Sequence, residues 1–203
     1  MISALTPENI GEHPHGDLEL DVRKAAMRDI APVLSLINGY AAQGIMLPRT
    51  EFEMSEAIRD FSVVYAGSRL IGCGALHFYS PATGEIRSLA VDPEWKTHGV
   101  GRRVIEALAA EAEAYELHAV FAFTYVPGFF HKLGFEEVER GMLPLKVWKD
   151  CLRCPKFQCC DEIAVVRVLR PDQWAQAQCA QPHASEYDPG VLLPIVNITR
   201  TAR

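Results

Sequence analysis

Apolar and polar positions change their period several times along the chain, and the changes mark its elements. Residues 22–26 read as a short first strand carrying Arg23 and Lys24. From Met27 the period lengthens, and Val33, Leu36, Ile37 and Tyr40 recur at helical spacing. Asp29 can cap this helix, Pro32 fits its first turn, and Gly44 ends it. A loop over 45–50 leads to a second predicted helix at 51–60. Two strands follow, 62–66 and 70–79, joined at Gly67-Ser68, and the turn 80–84 opens a third at 85–91. Three consecutive strands meeting at short turns predict an antiparallel meander within a mixed sheet. The helix that starts at Gly101 has Val104, Ile105, Leu108, Ala109 and Ala112 on one side and Arg103, Glu106, Glu111 and Glu113 on the other. The apolar strand 119–125 should lie parallel to 85–91, because a helix crosses between them. A turn at 126–128, a strand beginning at 136–139 and a final strand at 162–169 complete the pattern. Beyond Pro171 it fades to a weakly helical 173–178 and a short strand at 192–198. The organisation expected is an arm at 1–20, a domain at 21–170 with a cysteine-rich insert at 148–161, and an appendage at 171–203.

The stretch 85–103, EIRSLAVDPEWKTHGVGRR, organises the rest. Its first half is a strand with Ile86, Leu89 and Val91 as apolar members, stopped at Asp92-Pro93 because proline donates nothing to a ladder. A loop with Gly99 and Gly101 then opens the amphipathic helix. Strand, glycine loop and helix start together form a cradle for phosphate, because the first N–H groups of a helix are unpaired and its dipole favours an anion there. The loop has neither the GxxxxGK[ST] of a nucleotide-hydrolysing P-loop nor the first glycine of a GxGxxG turn. An ordinary strand-to-helix connection with turn glycines is the plain alternative.

Composition narrows the classes. The 203 residues suit one domain, and 49% apolar and 23% charged residues are ordinary for a globular protein. A net charge of −6 argues against nucleic acid as a partner. No apolar run reaches membrane-span length, and no basic segment followed by an apolar one opens the chain, so a cytoplasmic protein is expected. Four of the six cysteines form Cys151-x2-Cys154-x4-Cys159-Cys160. That spacing could hold zinc through sulfur. Adjacent cysteines rarely both reach one ion, so free thiols are the expectation, with metal on these four the alternative. Cys73, between Gly72 and Gly74, reads as a small buried filler.

Three charged residues could carry chemistry. Glu85 is either a solvated charge at a strand start or a base. Arg87, two residues on, shares its face and makes with it either a surface pair or a base beside a clamp for an acidic substrate. Arg49, in Leu47-Pro48-Arg49-Thr50, is a solvated loop arginine or a second clamp, since guanidinium grips carboxylate in two places.

The aliphatic-Ala-Val strand end followed by Lys96-x-x-Gly99-x-Gly101 resembles the [Q/R]-x-x-G-x-[G/A] signature of the GNAT acyltransferases, with Lys96 in place of the usual Gln or Arg. Phe129-Phe130-His131-Lys132-Leu133-Gly134-Phe135 resembles that family's FYxKxGF segment. The resemblance covers roughly residues 20–170. It implies the α/β (α+β) GNAT fold, a mixed central sheet of about six to seven strands flanked by helices, with a V-shaped opening between the central parallel strands. It implies acetyl-CoA as acetyl donor, its pyrophosphate over residues 97–102, with Leu89, Ala90, Val91, Lys96, Thr97, His98, Gly99, Val100, Gly101, Arg102, Phe129 and Lys132 as the cofactor-binding set.

LPRT, EIRSLAV, LKVWKDC and CDEIA further resemble the short single-domain amino-acid N-acetyltransferases, relatives of the acetylating half of N-acetylglutamate synthase at the head of arginine biosynthesis. That implies glutamate or glutamine as acceptor, Glu85 as base, and Arg49, Arg87 and Lys146 on the acceptor's carboxylates. Transfer should be direct, because no activated cysteine or serine stands by a base. Phe130 occupies a position where many members use tyrosine as proton donor, which leaves Tyr125 and Thr124 as replacements. The rival readings are acetylation of a protein or of another small amine, and a non-catalytic acyl-CoA sensor. The partners expected are acetyl-CoA and an amino acid, with neither nucleic acid nor membrane, and a homodimer as the candidate assembly.

Overall fold

The computed structural model describes residues 19–143, 156 and 159–180, with side chains through 177. In chain order the elements are β1 (Leu20–Lys24), α1 (Ile30–Ala41), α2 (Glu51–Ala57), β2 (Phe61–Ala66), β3 (Arg69–Phe78), β4 (Thr83–Val91), α3 (Val100–Ala114), β5 (Ala119–Thr124), α4 (Pro127–His131), β6 (Glu136–Glu137), β7 (Ile163–Val168) and α5 (Pro171–Ala180). The strands form one mixed sheet in the order β1-β2-β3-β4-β5-β7-β6. The β4–β5 pair is parallel and the other pairs are antiparallel. This is the mixed, helix-flanked sheet that the meander and the crossover helix predict.

Both faces are covered. On one, α3 sets Val104, Ile105 and Leu108 against Ile71, Leu76 and Ile86. On the other, Val33 and Ile37 of α1 and Met54 of α2 meet Val63, Cys73, Ala75 and Ala90. Gly72 and Gly74 explain how closely α3 lies on β3. A Cβ at 72 would stand 2.5 Å from Val100 Cγ1, and one at 74 would stand 2.7 Å from Val104 Cγ1. Between them Cys73 is fully buried, and burial pushes its thiol up to about 12, as an inert filler requires.

Two irregularities in β4 shape the site. The register against β3 shifts between Cys73↔Ala90 and Ala75↔Arg87, so β4 carries one extra residue there, with Ser88 at φ 53°. A β-bulge moves every later side chain to the other face. Ile86, Leu89 and Val91, whose spacing is not strictly alternate, therefore all reach the α3 side, while Ala90 reaches the other. The second irregularity is that β4 and β5 pair only at Thr83↔Ala119, Gly84↔Val120 and Glu85↔Phe121. Beyond that rung the strands run on to Val91 and Thr124 without pairing. This splay is the V-shaped opening expected between the central parallel strands.

Several local expectations shift. The first strand spans Leu20–Lys24 rather than 22–26. Asp29 does not cap α1 with its side chain, because it is 1% exposed and committed to Arg23, Tyr65 and the Ala26 N–H. The segment 126–128 is not a separate turn, since Pro127 opens α4 at a position where a missing N–H costs nothing. Thr50 and Glu53 cap α2 reciprocally, Thr50 Oγ1 accepting from the Glu53 N–H at 3.2 Å and Glu53 Oε2 from the Thr50 N–H at 2.9 Å. The weak period at 173–178 belongs to α5, held by Trp174 against Ala119, Phe121, Leu143, Ala164 and Val166. Of the arm expected at 1–20, residues 1–18 lie outside the described residues and Leu20 already belongs to β1; the strand expected at 192–198 also lies outside them.

Candidate active site

The site gathers where β4 and β5 part. Glu85 sits on the last paired rung and is half-buried. Its Oε2 accepts a hydrogen bond from the Tyr79 hydroxyl at 3.1 Å. Its cross-strand partner on β3 is His77, whose Nδ1 lies 2.9 Å from Asp60 Oδ2. Arg87 follows two residues later on the same face, away from α3, and is also half-buried.

Arg49 is brought to this strand from the α1–α2 loop. The Asn38 side chain of α1 holds the backbone of Arg49 on both sides, accepting from its N–H at 2.9 Å and donating to its carbonyl at 3.0 Å. The Arg49 Nε then donates to Ser88 Oγ at 3.0 Å. Glu85, Arg87, Ser88 and Arg49 thus form one polar ridge along the open half of β4. Lys146 lies outside the described residues.

The cradle lies just beyond. Tyr40 of α1 donates to the Val91 carbonyl at 2.6 Å, and the Lys96 ammonium sits 5.1 Å over its ring, so one tyrosine ties α1 to the end of β4 and to the loop after it. Thr97 and Gly99 adopt φ of 72° and 74°, which turns the chain so that α3 starts at Val100 with a glycine N-cap that offers no side chain. A Cβ on Gly99 would meet nothing within 4 Å, so the space over the helix start is open. Gly101 is closed in instead: a Cβ there would come 3.1 Å from Phe129 Cζ. Phe129 therefore floors the cradle from α4. An open helix start with a left-handed glycine and an aromatic wall fits a pyrophosphate and the chain that follows it. Lys96, Thr97, His98 and Arg102 stand exposed around it, Arg102 within 4.0 Å of Glu106. Lys132 is exposed at the end of α4.

The other lip of the opening carries Thr124 and Tyr125. Both follow Phe121, the last residue of β5 that pairs with β4, so they lie on the unpaired side of the fork. Thr124 is 6% exposed, and its hydroxyl oxygen accepts from the Val126 N–H at 3.0 Å. Tyr125 is 38% exposed. Its hydroxyl accepts from Lys156 Nζ at 3.2 Å, and its ring lies 4.8 Å below that ammonium. Burial pushes the Tyr125 phenol up, with Lys156 working against it. Phe130, by contrast, is 3% exposed and packed edge-on between Phe129 and Phe135, in the core rather than in the opening.

Of the cysteine cluster, Cys159 is exposed and Cys160 half-buried, both free thiols, while Cys151 and Cys154 lie outside the described residues. Arg140, whose guanidinium stacks 5.5 Å over Phe123, donates to Cys160 Sγ at 3.2 Å and to the Glu162 carbonyl. Among the described residues no three metal-ligating side chains converge. Sequence reasoning missed Ser88, Tyr79 and Asn38. Only Ser88 left a trace, in the broken alternation of β4.

Comparison with known proteins agrees with this geometry. Residues 57–137 match the acetyltransferase (GNAT) domain family. Over 148 residues the chain is 41% identical to an uncharacterised N-acetyltransferase of Chlorobaculum tepidum, covering 73% of this chain and 96% of that one. It is 33% identical over 135 residues to an amino-acid acetyltransferase of Mycobacterium tuberculosis, covering 65% and 77%. Among solved structures, N-acetylglutamate synthase from Neisseria gonorrhoeae, complexed with coenzyme A and N-acetyl-glutamate, superposes with a TM-score of 0.69 at 28% identity. That match covers 76% of this chain and 36% of the synthase. With a relative this similar along nearly its whole length, and with the splayed strands and open helix start in place, the chain belongs to the GNAT N-acetyltransferases and is an acyltransferase.

Proposed function

We propose that this enzyme acetylates the α-amine of an amino acid, L-glutamate or glutamine, as the first step of arginine biosynthesis. As a GNAT acetyltransferase it draws the acetyl group from acetyl-CoA, which supplies an activated thioester carbonyl. The observation that carries the reading is the ridge on β4, where Glu85 stands at the fork of the strands beside Arg87 and the Ser88-docked Arg49. An acceptor with two carboxylates and one amine needs separated cations and a base beside them, and the ridge supplies both. The names of the relatives point the same way, since one is an amino-acid acetyltransferase and one a synthase of N-acetylglutamate.

Each residue then has a task. Gly99, Gly101 and the first N–H groups of α3 receive the pyrophosphate, with Lys96 and Arg102 as flanking cations. Arg49 and Arg87 orient the carboxylates, with Lys146 as the third cation of this reading. Glu85 takes a proton from the ammonium, directly or through water, so that a neutral amine faces the thioester. The departing thiolate needs a proton from the opposite lip. There Tyr125 is the better placed donor of the two candidates, because it is more exposed than Thr124.

A sensor is favoured instead by the identity of Phe130, a side chain with no hydroxyl at the position where many members of the family have tyrosine. The reading adopted has a cytoplasmic enzyme whose partners are two small molecules, with a homodimer as the assembly to test by sedimentation. No described helix is long and apolar enough to cross a membrane. A thiol-release assay with acetyl-CoA and each of the twenty amino acids tests it. Fastest turnover with glutamate or glutamine is expected. CoA binding without turnover on any of them gives the sensor, and turnover on peptides alone gives a protein acetyltransferase.

A further inference from the structure

We propose that Tyr79 is a positioning residue for acetyl transfer, its hydroxyl holding Glu85 ionised and turned so that one carboxylate oxygen faces the amine. The inference rests on the reading of Glu85 as base. The Tyr79 hydroxyl donates to Glu85 Oε2 at 3.1 Å.

The tyrosine is itself fixed on several sides. Its ring stands edge-on to His77, with centroids 5.1 Å apart, and tilted against Phe121 at 5.8 Å. Its N–H donates to the Thr83 carbonyl at 3.0 Å, closing the hairpin between β3 and β4. Ser80 Oγ braces that turn by accepting from the N–H groups of Ala82 and Thr83 at 3.1 Å each. Donor and carboxylate therefore sit on the two arms of one short hairpin, and their separation is set locally. A tyrosine that only filled space here would need its ring and no hydroxyl.

The phenol suits the task because it is uncharged near neutral pH and so strengthens the carboxylate without neutralising it. Among the described residues the titratable groups on the elements around Glu85 are His77 of β3, Tyr79 just after it, Asp60 behind His77, Arg87 from β4 itself, and Arg49 from the α1–α2 loop. In the transfer one proton of the ammonium goes to Glu85, the new C–N bond forms as the C–S bond breaks with its electron pair leaving on sulfur, and the second proton lost from nitrogen balances the one the thiolate takes up. Tyr79 keeps its own proton throughout.

The test compares Tyr79→Phe, Glu85→Gln and the double variant in the full chain, with acetyl-CoA and the best acceptor among the twenty amino acids. Tyr79→Phe should lower kcat about tenfold and move the acidic limb of its pH profile up by about one unit, with KM and CoA affinity near wild type. On the Glu85→Gln background the same change should alter kcat less than about twofold. Independently of turnover, the Glu85 carboxyl followed by 13C NMR should titrate about one unit higher in Tyr79→Phe. Unchanged kcat and an unchanged midpoint would overturn the proposal, as would an equal loss on both backgrounds. Loss of CoA binding would also overturn it, by making Tyr79 a packing residue. Wild-type kcat in Glu85→Gln would instead bring down the base assignment underneath it, and that outcome is read from a different variant.

Discussion

The same three side-chain types meet twice on this sheet, with opposite results. At its β1–β2 edge, Asp29 receives two hydrogen bonds from Arg23, at 2.8 and 3.0 Å, one from the Ala26 N–H at 2.7 Å and one from the Tyr65 hydroxyl at 2.9 Å. Both oxygens are used and the group is 1% exposed. At the fork of β4 and β5, Glu85 also takes a tyrosine hydroxyl and has Arg87 along its strand and Arg49 docked on Ser88, yet it is half-buried at the mouth of an opening. A saturated, dry carboxylate can only support structure, because it has no capacity left and no route to a ligand. A half-buried one with a fixed donor on one oxygen can exchange a proton. With Glu85 as the proposed base, accessibility rather than residue type separates the two roles.

The sharpest way to break the comparison is to remove each carboxylate in turn. Glu85→Gln should lower kcat by about 10²–10⁴-fold, the usual worth of a positioned base, and leave the melting temperature nearly unchanged. Part of the loss should return at higher pH, where more of the amine is already neutral. Steady-state kinetics between pH 6 and 10 reads both effects.

Asp29→Asn should do the reverse, costing about 3–5 kcal/mol of stability by leaving Arg23 against an uncharged partner. Turnover per folded molecule should hold. The pH dependence follows from the direction of the shift. Hydrogen bonds from Arg23 hold the Asp29 carboxyl well below the usual carboxylate range, against the opposing pull of burial. Its contribution is therefore complete above the unfolded value, about 3.9, and is lost as pH falls from there toward the folded one. Urea unfolding at steps from pH 7 to pH 2.5 should show wild type losing stability below about pH 4, and Asp29→Asn lacking that component.

How much of this contrast the sequence carries depends on range. The strands, α3 and the cradle were legible because their periods are strong and their glycines local. Glu85 and Arg87 could be placed on one face by counting. Asp29, however, reads as a helix cap from its position alone, and its true partners, Arg23 and Tyr65, come from two separate strands. The Tyr79 contact was hidden for the same reason, although only a hairpin separates it from Glu85. The opening itself depends on where two strands stop pairing, and nothing in their residue types marks that rung. The bulge is intermediate: the uneven spacing of Ile86, Leu89 and Val91 encodes it, but only the register with β3 identifies the extra residue.

Arg49 and Arg87 test the comparison on its cationic side. If they serve a ligand as Arg23 serves Asp29, then Arg49→Leu or Arg87→Leu should raise the KM for glutamate roughly ten- to a hundredfold, from about 1.5–3 kcal/mol per charge-assisted contact. Acetyl-CoA affinity should barely move, and stability should change far less than in Asp29→Asn. Normal glutamate kinetics in both variants would return these residues to the structural class and favour an acceptor without carboxylates.

The smallest effects belong to the cradle, where two glycines separate conformation from space. Gly99 has φ 74° and open space where its Cβ would be, so Gly99→Ala strains the backbone without touching a neighbour. The left-handed penalty is about 1–2 kcal/mol, and it should appear mainly as a lower melting temperature. Gly101 sits inside α3, and a Cβ added to it would stand 3.1 Å from Phe129 Cζ, so Gly101→Ala must push that ring. Helix propensity favours the alanine by about 1 kcal/mol, which offsets the crowding and should leave stability close to wild type. On the proposed reading the displaced ring floors the pyrophosphate site, so the change should register in CoA affinity. Calorimetry on both variants decides: Gly99→Ala, whose Cβ enters the space left for the anion, should melt earlier and lose some CoA affinity, and Gly101→Ala should keep its stability and lose more. If the two variants lose affinity equally, Phe129 is not the floor, and the anion is held by the turn alone.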